Sequence, residues 1–372
     1  MSDSVAAVTS EEEQLPWEPL PPSETPPRLT GVRGIPRALE AAWATATRLP
    51  GVRDVFLGMR REPGAVLAYV ALVLVLIAWV ARTPNLTPTS LTLILMGKVP
   101  LIMAAVGMAI VLISKGIDLS MGSMVLLADM IVLVWTVPLH SPWLGALMAV
   151  LVTSALGLAN GIMVGLLKLP ALVVTLATGS VAAGIALYVC PNPVYGTLPE
   201  SFTNVVLTML GPIPLVLVLA FLLPAVIWFP IRRSRAGLAL MAVGGDEAAA
   251  FISGLKPWRS RALAYTLSGL FAGLAGVLLA MSTGGGTASA TTTYTLNAIA
   301  AAVLGGVSLT GGRGSIAGAI GGAFVLTFIT SLLMSWNVDQ YWSYVVSGSI
   351  LVLVVGIPFL VNQARARKGV RA

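Results

Sequence analysis

The chain has 372 residues, 57% of them hydrophobic and only 10% charged. Soluble domains carry about a quarter charged residues. This composition therefore excludes an ordinary soluble enzyme and indicates an all-α, polytopic membrane protein with little room for a second folded domain. The formal charge of +7 is a topology signal rather than a nucleic-acid one, because the cations sit in tails and between apolar runs.

Residues 1–62 form a polar tail. Residues 1–30 are rich in Pro, Glu and Ser and are expected to be disordered. Residues 33–61 are basic with interleaved Trp43, Leu49, Val52 and Phe56, and read either as an amphipathic helix on the inner leaflet or as a solvated tail. No apolar core with a cleavage site marks a signal peptide.

From 63 to 361 the pattern predicts a transmembrane domain. A span needs roughly 20 apolar residues, and ten candidates follow: 65–81, 91–114, 117–137, 143–167, 170–190, 212–231, 262–281, 296–309, 315–334 and 341–361. The eighth is short, which indicates a broken or protein-buried element. About ten helices, several broken or Gly-rich, place both termini on one side. The cations agree. Of the 22 Lys and Arg, all but Arg82 and Lys98 fall in the two tails (1–62 and 362–372) or in loops on that same side, which the positive-inside rule makes cytoplasmic.

The longest inner insert, 232–261, carries Gly244-Gly245-Asp246-Glu247 followed by the helix-forming run Ala248, Ala249 to Ser253 and Gly254. It must lie in water, where a soluble partner can grip it. The longer outer segments are 191–211 and 282–295. The second is uncharged and rich in Gly, Thr and Ser, and is either flexible or folded back into a cavity. No soluble domain fits outside, so capturing a dilute solute requires a separate binding protein.

Small residues recur four apart: Gly157, Gly161 and Gly165; Gly269 and Gly273; Gly314, Gly318 and Gly322. On helices this spacing makes smooth stripes for close packing. Two glycine-punctuated turns face the cytoplasm, one with Gly116, Asp118, Ser120 and Gly122, the other with Gly305, Gly306, Gly311, Gly312 and Gly314. Such breaks survive in a membrane only when buried in protein or lining a cavity. Asp118 reads as a helix cap ahead of a substrate contact. Lys98 and Asp129 each lie about 10–12 Å below the outer surface of adjacent antiparallel spans, which predicts an ion pair or a shared polar cavity.

Asn160, Thr175, Thr178, Asn297, Asp129 and the aromatic Trp135 are the candidate pathway residues, since hydroxyl, amide and aromatic lining suits a neutral sugar or polyol. Against that, Thr in a span commonly bonds its own helix backbone, whereas an amide in lipid needs a partner. No P-loop or H-E-x-x-H is present. With one His and one Cys, neither a nucleophile–base set nor a Cys/His metal cluster can be assembled.

Three stretches, 107–128, 232–280 and 296–324, carry a resemblance in content, order and spacing. They resemble permease subunits of bacterial ABC sugar importers of the ribose/xylose/galactose type, over about 91–361. The resemblance implies a bacterial cytoplasmic-membrane subunit with no cofactor or active site of its own. Its partners would be ABC ATP-binding subunits holding ATP and Mg, a second permease subunit, and a periplasmic or lipid-anchored sugar-binding protein. It also implies that 244–254 is the coupling helix. The chain departs from the family pattern at Asp246, where Asn is usual, and at Lys115, where Gly is usual. A similar permease for nucleosides or another small polar solute, and a stand-alone secondary carrier, are the alternatives. The carrier would leave the inner loop without a task.

Overall fold

The computed structural model describes residues 63–83, 87–136, 138–192, 194, 198–211, 213–286, 291–338 and scattered positions between 342 and 356. The polar tails at 1–62 and 362–372 lie outside the described residues, as does most of the predicted span 341–361.

The elements in chain order are α1 (Pro63–Arg82), α2 (Pro88–Met96), α3 (Val99–Ile113), α4 (Met121–Thr136), α5 (Pro142–Gly165), α6 (Ala171–Val189), the single turn α7 (Glu200–Thr203), β1 (Met209–Leu210), β2 (Ile213–Pro214), α8 (Leu215–Arg233), α9 (Arg235–Gly245), α10 (Glu247–Ile252), α11 (Pro257–Thr283), α12 (Thr291–Leu304) and α13 (Ile316–Ser335). The only strands among the described residues are β1 and β2, a two-residue antiparallel ladder before α8. Six of the described helices are long and apolar enough to cross a membrane, and α2 with α3 makes a seventh candidate bent by 43°.

That bend corrects the expectation of one continuous helix over 91–114. Gly97 and Lys98 interrupt the apolar run, and Pro100 has no N–H to offer the preceding turn, so the helix stops at Met96 and restarts at Val99. Lys98 sits in the break as the N-cap of α3.

α3 is the hub: all fifteen of its residues are buried, as expected of a helix that is apolar on every face. α11 packs beside it and also contacts α5 and α4. The closest seam is α5 against α11, and it is built from glycine. A Cβ on Gly161 would stand 2.5 Å from the Ala262 Cα, and one on Gly165 would stand 2.9 Å from the Trp258 carbonyl oxygen. From the other side, Gly269 and Gly273 meet Thr153 and Val150 of α5. The predicted stripes are therefore helix–helix contact surfaces. Gly318 and Gly322 of α13 do the same against Gly305 and Ala301, whereas Gly314, expected in that stripe, precedes α13 at φ +145° and lies in the turn before it.

Two further boundaries differ from expectation. α4 begins at Met121 rather than near 117, because the polar turn before it is tied down by side chains. The outer segment predicted over 282–295 is partly helical: α11 runs to Thr283 and closes on left-handed Gly284, and α12 already starts at Thr291. Gly286 pairs with Val194 in an isolated antiparallel bridge. α12 has 14 residues, too few to span a bilayer.

Candidate functional site

The three motif regions singled out in the sequence meet at one place. Ile113 ends α3, and its carbonyl oxygen accepts a 2.8 Å hydrogen bond from the Gly312 N–H. Gly244, in the last turn of α9, is pressed against the same Ile113 carbonyl, with the Gly312 nitrogen 2.9 Å from where a Cβ would be. Gly311 packs on the Gly244 carbonyl oxygen and on Lys115, again too close to admit a side chain. Gly311 and Gly312 hold φ values of +83° and +71°, a left-handed conformation that favours glycine. Lys115 also stands at φ +64°. It follows the Ser114 C-cap of α3, at the position where helices commonly place glycine.

From this junction the chain turns outward. Asp246 is extended (φ −151°, ψ 108°) and N-caps α10, accepting hydrogen bonds from Ala248 N at 2.9 Å and Ala249 N at 3.0 Å. Glu247, in the first turn of α10, pairs with Arg261 of α11 at 2.6 Å. The Ser253 hydroxyl donates to the Ala249 carbonyl, and Gly254, at φ +82°, ends the element. Ala248 and Ala249 are exposed. The most exposed apolar side chains on α10 are Phe251 at 68% and Ile252 at 84%. Neither was singled out from sequence. The available signal was an adjacent aromatic and β-branched pair directly after the short polar-capped run Asp246–Ala250 of a charged insert.

A second feature is a buried polar network. Asp118 accepts from the Ser120 N–H at 3.0 Å, from the Ser120 hydroxyl, and from the Ser268 hydroxyl of α11 at 2.7 Å. The Ser120 oxygen in turn accepts from Asn160 Nδ2 of α5 at 3.1 Å. Asn160 Oδ1 accepts from the Thr178 hydroxyl of α6 at 2.6 Å. Asp118, Ser120 and Asn160 are fully buried. Asp118 is thus not a simple cap on α4: it bonds within its own turn and across to α11. Gly116 is packed beneath the Tyr265 ring, whose hydroxyl donates to the Ile117 carbonyl. The Gly122 N–H donates to the Thr295 hydroxyl of α12 at 2.9 Å.

The remaining candidates are dispersed. Thr175 bonds its own helix at Ala171. Asn297 is half-buried and makes no side-chain hydrogen bond with a described residue. Trp135 is 42% exposed at the end of α4. Gly305 and Gly314 pack on Gly318 and Val307, and Gly306 meets Gly64 of α1. The expected ion pair of Lys98 with Asp129 is absent. The only salt bridge among the described residues joins Glu247 and Arg261, and the depth argument assumed a straight helix through Lys98. Asp129 is 1% exposed, and its Oδ1 has no hydrogen-bond partner.

Residues 90–355 match the family model described as branched-chain amino acid transport system / permease component. The chain is 33% identical over 260 residues to the ribose import permease protein of Bacillus subtilis, covering 68% of this chain and 79% of the relative. It is 33% identical over 308 residues to the autoinducer 2 import system permease protein of an Enterobacter species, covering 82% and 89%. Identity to the D-allose transport system permease protein of Escherichia coli is 30% over 280 residues, covering 75% and 86%. No solved structure matches the chain.

Proposed function

This chain belongs to the permease-component family of ABC importers, and from that premise we propose that it forms the membrane pathway for a monosaccharide or similar polyol. It works with two ATP-binding subunits, a second permease subunit and an external sugar-binding protein. The proposed form is a ten-span protein of the bacterial cytoplasmic membrane with both termini inside. It performs no covalent chemistry, and the ATP and Mg sit on its partners.

The observation that carries this reading is the junction at Ile113. A helix in aqueous contact, α10, is joined through Gly244 and Gly245 to the end of the buried hub α3 and to the Gly311–Gly312 turn. A displacement of α10 therefore reaches the inner ends of α3 and α12 through backbone contacts that leave no slack. Such contacts bias two discrete packings rather than bending smoothly. Phe251 and Ile252 present an apolar knob of the kind that fills a groove on a soluble partner. The Glu247–Arg261 pair holds the base of that knob to α11.

The test is Phe251→Asp with Ile252→Asp. Both side chains are exposed and support nothing within the chain, so membrane insertion stays normal while ATPase association and ATP-driven uptake are lost. Full uptake by this variant refutes the assignment. The relatives' names differ in cargo, so the cargo is identified by a thermal-shift screen of ribose, allose, arabinose and galactose on the cognate binding protein.

A further inference from the structure

Asp129 lies eight residues into α4, about 12 Å along the helix from Met121. Placing a carboxylate there without a partner is costly, yet no described residue donates a hydrogen bond to it and no described Lys or Arg lies within pairing distance. Three other elements converge on it. Gly286, held by two backbone hydrogen bonds of 2.8 and 3.0 Å to Val194, covers it so closely that a Cβ there would stand 3.0 Å from Asp129 Oδ2. Cys190, at the end of α6, and Tyr294, of α12, lie in its neighbourhood. The Tyr294 hydroxyl also has no hydrogen bond to a described residue.

Gly286 packs on Asp129, Met130 and Leu133, whereas Thr295 bonds Gly122 near the other end of α4. Between these two points the chain moves about 12 Å along α4, and α12 begins part-way across. A helix starting within the membrane is tolerated where it lines a cavity.

We propose that Asp129 is a solute-binding carboxylate of the pathway, accepting hydrogen bonds from the hydroxyls of a neutral sugar or polyol, and that the Val194–Gly286 bridge seals it in the state described here. This rests on the permease reading and adds a residue and a recognition chemistry to it. A carboxyl group buried without a partner needs hydrogen-bonding groups around it, and a polyhydroxylated solute brings several. A resident metal ion fits poorly, because binding one takes several oxygen ligands and no group of three or more His, Cys, Asp or Glu occurs among the described residues.

The test uses the complete importer in liposomes, with D-ribose, D-allose, L-arabinose and D-galactose as probes. Wild-type ATP-dependent uptake of one of these establishes the permease reading independently of Asp129. Asp129→Leu is expected to cut that uptake at least tenfold while ATPase activity stays within twofold, and Asp129→Asn to fall between. In a Cys190→Ser background, Asp129→Cys is expected to resist a small methanethiosulfonate reagent at rest. During turnover it should react at least tenfold faster, and the transported sugar should slow that reaction. Uptake by Asp129→Leu within twofold of wild type, or labelling that turnover does not change, overturns the proposal. If Asp129→Leu fails to assemble, Asp129→Asn and the labelling experiment decide.

Discussion

Gly244 and Gly245 are adjacent in sequence and end the same helix, yet they respond oppositely to an added methyl group. A Cβ on Gly244 falls well inside the Ile113 carbonyl oxygen and 2.9 Å from the Gly312 nitrogen, whereas one on Gly245 meets nothing closer than the Gly312 Cα at 4.0 Å. Reaching ordinary van der Waals separation at Gly244 requires α9 to retreat by roughly 1.5 Å. The obstacle is backbone, so no side-chain rotation relieves it. The retreat strains the packing by about 1–3 kcal/mol and endangers the Gly312–Ile113 hydrogen bond, worth about 1 kcal/mol. Gly244→Ala is therefore expected to lower stability by about 2–4 kcal/mol and to reduce solute moved per ATP. Gly245→Ala should lie within about 0.5 kcal/mol of wild type. The assay is thermal unfolding of the purified permease in detergent, together with the uptake-to-ATPase ratio in liposomes. Equal behaviour of the two variants refutes the claim that Ile113 is the point of mechanical contact.

Four other outcomes follow from the same geometry. Asp118→Ala strands the Ser120 N–H in a fully buried site and removes the acceptor of two hydroxyls, so a loss of about 3–5 kcal/mol is expected in the same unfolding assay. Ser268→Ala removes one donor only and should cost about 1–1.5 kcal/mol. Lys115→Gly is expected to stabilise by about 0.5–1 kcal/mol, because it relieves the left-handed strain at φ +64° and loses part of that gain to backbone entropy. Glu247→Ala, which breaks a partly exposed ion pair, should cost less than about 1 kcal/mol and measurably weaken ATPase association at low salt.

The sequence carried some of this organisation openly and hid the rest for identifiable reasons. The stripes at Gly157–Gly165 and Gly269–Gly273 were legible because contact between helices needs small residues at the helical repeat, and that repeat is local. The break at Lys98 was not read, because long apolar runs on both sides add up to the length of one span and outweigh the local signal of Gly97, Lys98 and Pro100. Asn160 was recognisable as an amide in need of a partner. Its actual partners, Ser120 and Thr178, are 40 and 18 residues away in the chain, a separation that periodicity does not encode. Thr178 shows the limit of a general rule. Its hydroxyl is within 2.9 Å of its own helix at Val174, as in-span Thr usually is, and also within 2.6 Å of Asn160. The start of α12 at Thr291 ran against the low helix propensity of a Thr-rich run, and packing against α4 and α3 overrides it.

The seam between α5 and α11 limits where motion can occur. Helices whose backbones touch at Gly157, Gly161, Gly165, Gly269 and Gly273 cannot slide past one another without first separating, so the two behave as a single strut. Spin labels placed across that strut should report one unchanging distance through the whole nucleotide cycle, while labels on less tightly seated helices should report two.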